Sequence, residues 1–150
     1  MRPLINTPED IARLMAIAQS WVGTSYVADG ASKGVGSSCS MLPYAILTEF
    51  GFLTAHPPGR NQMPKKEILP LMVADLASRE GISFQRIAAV ASIECGDVLV
   101  FDAGIGHMVL ALSKRTGIHS WQNVGAHMVV FDNKPFINRI VGIWRPVISG

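Results

Sequence analysis

The sequence predicts an α+β domain in which N-terminal helices pack on one side of a small antiparallel sheet. The first half of the 150 residues carries helix-start signatures and apolar residues at helical spacing. The second half carries short runs of Val, Ile, Phe and Trp separated by turn residues. A hydrophobic content of 49% over this length suits one core, so we expect residues 1–150 to form a single domain.

The first predicted helix begins after Thr7 and extends to about Trp21. Thr7 is a good cap, Pro8 suits the first helical position, and two acids follow it. Apolar residues then recur at intervals of three and four and stop before Gly23. This spacing predicts a half-buried amphipathic helix.

The second predicted helix begins at Cys39 or Ser40 and ends at Phe50. Pro43 is tolerated only in a first turn, and Gly51 closes the pattern. The assignment puts Cys39 at a helix N-terminus.

A third helix is predicted over Lys66–Arg79, where Gly81 stops it. Segments rich in glycine, proline and serine at Asp29–Ser38 and His56–Pro64 predict two long loops. In small domains such loops are where sites are built.

Five short antiparallel strands are predicted in the second half, each rich in β-branched and aromatic residues. They are Asp97–Phe101, His107–Ser113, Gly117–Trp121, His127–Phe131 and Ile137–Trp144.

Composition excludes several classes of protein. A charged fraction of 16% and a mean hydropathy of +0.30 argue against a disordered chain. The net charge is only +2 and the basic residues are scattered, so we expect no nucleic-acid partner. No uninterrupted apolar run reaches about 18 residues, so no membrane span is expected. No apolar run follows a basic start, so no secretory signal is visible and we expect synthesis in the cytoplasm.

The two cysteines differ in their predicted surroundings. Cys39 follows a flexible run and begins a helix, where free backbone amides stabilise a thiolate and can receive an oxyanion. A small apolar side chain at a helix start is the structural alternative. Cys95 begins a strand and is expected to be an inert thiol. The sequence leaves a disulfide between them open, and their spacing with the histidines fits no zinc signature, so no metal is expected.

Three of the four histidines head or lie on predicted strands. His107 opens a strand and is well placed as a general base toward a helix N-terminus. A short turn sets the strand of His119 beside it, so the second imidazole could hold the first. His127 heads another strand and could substitute for either, whereas His56 precedes two prolines and is expected to be a solvated loop residue.

Four segments in order resemble the NlpC-type cell-wall cysteine peptidases, which have a papain-like fold. The resemblance spans about Ile11 to Ile143, and its two histidines are 12 residues apart (119 − 107). The segments are AQSWVGTSYVADG, GVGSSCSMLPYAILTEFG, IECGDVLVFDAGIGHMVLAL and GIHSW.

The resemblance implies a Cys-His-His triad in which Cys39 is the nucleophile, His107 the general base and His119 the orienting residue. It implies that Tyr26, Ser38 and Ser40 contact the substrate, and that Asp97 caps a turn.

Two positions depart from the family motif: Ser38 stands where an aspartate is usual and Met41 where a glycine is usual. The family's aspartate helps to bind the free amine of a stem peptide, so this substitution predicts less dependence on that amine. Met41 is expected to narrow the cleft beside the nucleophile.

By resemblance, the chain is expected to be a cysteine hydrolase that cleaves an amide bond in peptidoglycan stem or bridge peptides, without a cofactor. The alternative is a non-catalytic papain-like module that binds peptide or serves in a phage tail, and a third possibility is acyl transfer by the same thiol. A wall enzyme without a visible leader would be delivered by a phage tail, lysis or a secretion system, so an immunity protein or a phage-tail protein could be its partner.

Two further expectations concern the thiol. Its sulfur should lie within about 4 Å of a His107 ring nitrogen. The helix N-terminus and a nearby imidazolium should lower the pKa of Cys39 and allow alkylation well below pH 8, whereas the pKa of Cys95 should lie at or above its ordinary value.

Overall fold

The computed structural model describes residues 2–52, 82–102 and 106–148. Two helices and two sheets account for most of this part of the chain, and the predicted α+β class is confirmed. The predicted helix Lys66–Arg79 and the predicted loop His56–Pro64 lie outside the described residues. The elements are β1 (Arg2–Pro3), α1 (Pro8–Trp21), β2 (Ala31–Ser32), β3 (Gly36–Ser37), α2 (Met41–Phe50), β4 (Ile82–Arg86), β5 (Val98–Asp102), β6 (Gly106–Ala111), β7 (Thr116–Trp121), β8 (Gly125–Val130), α3 (Lys134–Ile137) and β9 (Ile140–Ile148).

Helix α1 begins with the predicted cap. The Thr7 side chain accepts from the Asp10 N–H at 3.1 Å, and the Asp10 carboxylate accepts from the Thr7 N–H at 3.1 Å. This reciprocal capping box satisfies two backbone donors that would otherwise be free at the helix start. The inward face buries Leu14, Ala18 and Trp21, as the apolar spacing predicts.

Helix α2 is the central helix of the core. Eight of its ten residues are buried, so it is apolar on nearly every side. It starts at Met41 rather than at Cys39, and it ends at Gly51, whose φ of 106° suits a residue without a Cβ. Cys39 therefore lies just before the first turn of α2, directly before the N-cap residue Ser40.

The larger sheet has seven strands in the order β1-β9-β5-β6-β7-β8, and β4 also pairs with β9. All of its pairs are antiparallel, as predicted. The helices cover one face of this sheet, where they pack against Val98, Val100, Met108, Leu110 and Ile118. The other face carries a smaller cluster built from Leu99, Phe101, Val109, Ala111, Phe131 and Ile143.

The prediction of a strand over Ile137–Trp144 is wrong at both ends. The Asn133 side chain accepts from the Phe136 N–H at 3.1 Å and caps the short helix α3, which takes up the first predicted strand residue. The strand then runs to Ile148 because its far end pairs with β4, a strand that the sequence analysis did not predict.

Asp97 has the structural role expected of it. Its carboxylate accepts from the Glu94 N–H at 2.9 Å, which closes the turn before β5. It also accepts two hydrogen bonds from Arg145, each 2.9 Å long. Asp97 is fully buried, so this bidentate pair compensates for the desolvation of the carboxylate.

No helix within the described part of the chain is long and apolar enough to span a membrane.

Candidate active site

The segment before Cys39 is folded back on itself and fastened to the sheet. The Ser38 N–H donates to the Gly30 carbonyl at 3.0 Å, across the small β2–β3 hairpin. The hydroxyls of Ser37 and Ser120 are 3.0 Å apart, and the Ser120 hydroxyl also donates to the Ser37 carbonyl at 2.9 Å. Both serines are fully buried, so these bonds hold the cysteine loop against β7.

Strands β6 and β7 pair at one end only of their length. Their ladder joins Leu110 to Ile118 and Ala111 to Gly117, the preceding residue of β7. The Leu112 N–H donates to the Thr116 carbonyl of β7 at 2.9 Å. The even-numbered residues of β6 therefore direct their backbone N–H and carbonyl groups toward β7. Gly106 and Met108 are also even-numbered, but the β6–β7 ladder does not extend to them. Their backbone groups therefore face an opening between the two strands.

The thiol of Cys39 occupies this opening. Its sulfur lies 4.0 Å from the Gly106 carbonyl oxygen, and the Met108 N–H is directed at it. These two residues flank His107. Among the hydrogen bonds of residues 2–52, 82–102 and 106–148, the thiol contacts this backbone rather than the His107 ring. A direct approach of the sulfur to the imidazole therefore stays a prediction.

Burial determines the resting state of the thiol. Desolvation raises the pKa of Cys39 above its ordinary value, although the N–H groups of Met108, Ser40 and Cys39 itself act in the opposite direction. The expectation of a lowered pKa is therefore wrong. A helix N-terminus stabilises an exposed thiolate, but this half-buried thiol is packed against a strand and is partly desolvated.

Three histidines form a continuous chain of hydrogen bonds. His107 Nε2 lies 2.8 Å from His119 Nδ1, and His119 Nε2 lies 2.9 Å from His127 Nε2. His127 Nδ1 lies 2.9 Å from the Gly125 carbonyl oxygen. The predicted contact between the first two imidazoles is confirmed, and their catalytic roles remain predictions. His127 continues the chain because β7 and β8 pair His119 directly with His127.

The first ring of this chain keeps one nitrogen free. His107 Nδ1 is buried and has no hydrogen-bond partner among the described residues. Desolvation, with repulsion from His119 and His127, lowers the pKa of His107 to about 3. Desolvation, with repulsion from His127, lowers the pKa of His119 to about 4. Both rings are therefore neutral at pH 7, so the site holds a neutral thiol and neutral imidazoles rather than an ion pair.

The histidine chain lies against an aromatic wall. The Trp121 ring meets the His107 ring edge to face, with centroids 4.7 Å apart. The Phe101 and Phe136 rings pack edge to face with their centroids 5.1 Å apart, next to His107 and His119. Beside them is a cavity of about 370 Å³. It is lined by the three histidines and by Phe101, Trp121, Val124, Pro135, Phe136 and Arg139.

The predicted substrate-contacting residues differ in their accessibility. Tyr26 is half-buried near Cys39 and Asp29, and burial with these neighbours raises the pKa of its phenol. Ser38 is 2% exposed, and its hydroxyl accepts from the Met41 N–H at 3.3 Å. Ser40 is 3% exposed and makes no side-chain capping bond. Both serines are therefore almost completely buried, in contrast to the half-buried Tyr26.

The segment directly after α1, which contains Gly23 and Thr24, is hydrogen-bonded to the strand that carries His127. The Gly23 N–H donates to the Ala126 carbonyl at 2.9 Å, and the Ala126 N–H donates to the Thr24 carbonyl at 2.8 Å. Gly125 has a φ of 84°, and a Cβ there would meet the Thr24 carbonyl oxygen. The segment therefore holds the start of β8 by its backbone.

Cys95 lies apart from this site, and both cysteines are free thiols. Desolvation and the neighbouring Asp97 raise the pKa of Cys95 to about 11, as expected for an inert thiol. Within the described ranges, no group of three or more histidine, cysteine or acidic side chains could hold a metal ion.

Known structures share this fold. They include an NLP/P60-family protein similar to a lipoprotein from Staphylococcus aureus, with 19% identity, 99% of this chain and 44% of that chain covered, and a TM-score of 0.62. An NlpC/P60-family protein from Bacillus cereus has 18% identity over 93% of this chain and 40% of its own, with a TM-score of 0.62. The NlpC/p60 domain of the peptidoglycan hydrolase SagA has 17% identity over 93% of this chain and 98% of its own, with a TM-score of 0.56.

This likeness confirms the papain-like, NlpC-type fold expected from the sequence motifs. The chain spans less than half the length of the first two of these proteins. Its sequence matches no family model and no curated protein.

Proposed function

We propose that this chain, which has the fold of NlpC/P60 proteins, is a cysteine hydrolase that cleaves an amide bond in peptidoglycan stem or bridge peptides. One observation supports this most directly: the Cys39 sulfur lies on the strand backbone on both sides of His107, whose Nδ1 is buried and unpaired. An unpaired buried nitrogen costs free energy in the resting protein, and accepting the thiol proton would give this lone pair a function. Similarity to a peptidoglycan hydrolase suggests the substrate class.

The reaction begins with both groups neutral. His107 Nδ1 takes the proton of the Cys39 thiol as the sulfur attacks the amide carbonyl carbon, and the carbonyl π electrons move to oxygen. When the tetrahedral intermediate collapses, the C–N bond breaks and the imidazolium gives its proton to the leaving amine. A thioester on Cys39 remains. Water then attacks it with His107 as base, the C–S bond breaks, and the thiolate recovers a proton.

Backbone amides would stabilise the negative oxygen. The N–H groups of Cys39 and Ser40 lie against the sulfur, at the start of α2. Donors fixed in this way need no reorganisation when charge develops on the substrate oxygen.

The function is tested by digesting purified peptidoglycan with the chain and identifying the fragments by mass spectrometry. We expect new amine and carboxyl termini within stem or bridge peptides. Cys39→Ala should abolish their formation, and Cys95→Ala, which removes a thiol away from the site, should leave it unchanged. Fragments formed equally by the Cys39→Ala variant would contradict the proposal.

A second candidate is a peptide-binding module or phage-tail component without catalysis. The raised pKa of the Cys39 thiol and the substitution of serine for the motif's usual aspartate at Ser38 favour it. Under this alternative, wild type and Cys39→Ala bind stem peptides equally and neither yields fragments.

Specificity rests on the residue before the nucleophile. Because Ser38 offers no charge to pair with a substrate ammonium, we expect cleavage to depend little on a free N-terminal amine. Comparing a free stem tetrapeptide with its N-acetylated form measures this directly. A strong preference for the free amine would implicate another carboxylate, such as Asp29 near Tyr26.

A wall substrate also requires a route to the wall. We propose synthesis in the cytoplasm followed by delivery through a phage tail, lysis or a secretion system. An immunity protein or a tail protein would then be the partner. A pull-down with the full chain as bait, from lysate of the producing cells, tests for such a partner. The peptidoglycan digestion is then repeated in the presence of the captured protein. An immunity protein should block fragment formation, whereas a tail protein should leave it intact.

A further inference from the structure

We infer that His127 is a positioning residue of the site: by contacting His119, it sets the tautomer that leaves Nδ1 of His107 free to accept a proton. The role of that proton acceptor rests on the proposed function, whereas the tautomer itself is a property of the resting protein. The sequence motifs assign only Cys39, His107 and His119 to the triad, so His127 is an addition to it.

The chain of hydrogen bonds starts at a backbone carbonyl. A carbonyl oxygen only accepts hydrogen bonds, so His127 Nδ1, 2.9 Å from the Gly125 oxygen, must carry a proton. In a neutral imidazole the other nitrogen is then an acceptor. His127 Nε2 therefore accepts from its neighbour, and His119 Nε2, 2.9 Å away, is the donor.

His119 imposes the same constraint on the next ring. Since His119 Nε2 carries the proton of a neutral ring, its Nδ1 has a lone pair. His107 Nε2, 2.8 Å from that nitrogen, must be the donor. The remaining nitrogen, His107 Nδ1, is then unprotonated. It is the buried atom that lacks a partner among the described residues.

The carbonyl that starts this sequence is rigidly held. Gly125 has a φ of 84° and lies where a Cβ would meet the Thr24 carbonyl oxygen. The next residue, Ala126, exchanges two backbone hydrogen bonds with the segment that contains Gly23 and Thr24. A fixed acceptor therefore defines the direction of every hydrogen bond up to His107.

The direction of all the hydrogen bonds between the three histidines can be reversed by the residue at position 127, and this makes the inference testable. A side chain at position 127 that can only donate would oblige His119 Nε2 to accept. His119 Nδ1 would then donate to His107 Nε2, and the proton would move to His107 Nδ1. The contacts would survive, but the proton acceptor beside Cys39 would be lost.

The first measurement uses the resting protein without substrate. In the full chain labelled with ¹⁵N at histidine, imidazole nitrogen shifts at pH 7 report which nitrogen of each ring carries the proton. We expect the Nε2–H form for His107 and His119, and the Nδ1–H form for His127. His127→Leu should give a tautomer mixture at His107, and His127→Lys should shift it to Nδ1–H. An unchanged Nε2–H signal at His107 in both variants would overturn the inference.

The second measurement is fragment formation from peptidoglycan. His127→Gln can still present an acceptor oxygen to His119 and should remain within about threefold of wild type. His127→Leu should lower kcat by about tenfold with little change in KM, since a hydrogen bond to the positioning ring is lost. His127→Lys should lower kcat further, because a wrong tautomer costs more than a missing contact.

Met128→Leu is the matched control. Met128 is the next residue of β8 and is exposed, so its substitution should change neither the ¹⁵N shifts nor kcat. Equal kcat values for His127→Gln, His127→Leu and His127→Lys would also overturn the inference. If wild type yields no fragments while the ¹⁵N shifts follow the expected pattern, the proposed hydrolase function fails and the positioning role of His127 stands.

Discussion

Two buried polar networks are attached to the same sheet, and they differ in one respect. At Asp97 every hydrogen bond is closed: one carboxylate oxygen accepts from Arg145, and the other accepts from Arg145 and from the Glu94 N–H. The histidine chain is closed at its Gly125 end and open at His107 Nδ1. Both networks are largely buried, which strengthens the electrostatic interactions in each.

The difference distinguishes a network that supports the fold from one available for chemistry. A completed network contributes stability and orientation, because each of its oxygens already accepts a hydrogen bond. An open network keeps a lone pair that a substrate or nucleophile can use. Asp97 is therefore expected to affect stability, whereas His107 is expected to affect activity.

The largest expected effect is on activity, at the open end of the histidine chain. His107→Gln keeps a side-chain amide that can donate to His119 but removes the nitrogen that would accept the thiol proton in the proposed mechanism. We expect fragment formation from peptidoglycan to fall by about a thousandfold or more. Unchanged circular dichroism would establish that the variant is folded. A folded variant with a tenth of wild-type activity would remove His107 from the proposed mechanism.

The next effect is on stability, at the closed network. Asp97→Ala leaves Arg145 without its bidentate partner in a mostly buried position, so urea unfolding should show a loss of about 3–5 kcal/mol. Asp132→Ala is the matched control, because Asp132 is exposed and lies 3.7 Å from Arg115, so less than about 0.5 kcal/mol is expected. Similar losses in both variants would show that burial does not distinguish these acids.

The histidine chain should also make stability depend on pH. The pKa values of His107 and His119, about 3 and about 4, are lower than the unfolded value, so the unfolded chain binds more protons in mildly acidic solution. The stability from keeping both rings neutral is complete above pH 6.5 and is lost as the pH falls toward 4. Between pH 7 and pH 5 we expect a loss of about 2 kcal/mol for each ring in urea unfolding.

A double variant checks the source of this dependence. His107→Gln combined with His119→Gln should remove most of the loss between pH 7 and pH 5. The same slope in wild type and in the double variant would assign the effect to other groups.

The smallest effect separates the two thiols. Since burial raises the pKa of Cys39, its alkylation by iodoacetamide should be slow at pH 7 and should increase up to pH 9. Cys95, with a pKa of about 11, should lag behind it by about threefold or more at pH 8. Peptide mapping of the alkylated chain measures both rates. Faster modification of Cys95 would reverse the assignment of the reactive thiol.

Local patterns predicted the elements that depend on neighbouring residues. The cap at Thr7, the end of α2 at Gly51 and the antiparallel strands follow from residue types at fixed short spacing. The contact of His107 with His119 also follows, because a short turn sets two strands side by side.

Features that depend on distant residues were not predictable in this way. The far end of β9 is a strand because β4 pairs with it, and β4 is more than fifty residues earlier in the sequence. The pKa of Cys39 is raised by packing against β6, a tertiary contact that no helix-start signature contains. The contact of His127 with His119 depends on the register of β7 with β8.

The hydroxyl pair of Ser37 and Ser120 joins residues 83 positions apart, on the cysteine loop and on the strand of His119. During synthesis, Cys39 is therefore added to the chain long before β7, the strand to which its loop is hydrogen-bonded. Until that strand emerges and pairs, the loop that carries Cys39 lacks the hydrogen bonds that hold it against β7. The loop that carries Cys39 would therefore reach its place on the sheet only in a late step of synthesis.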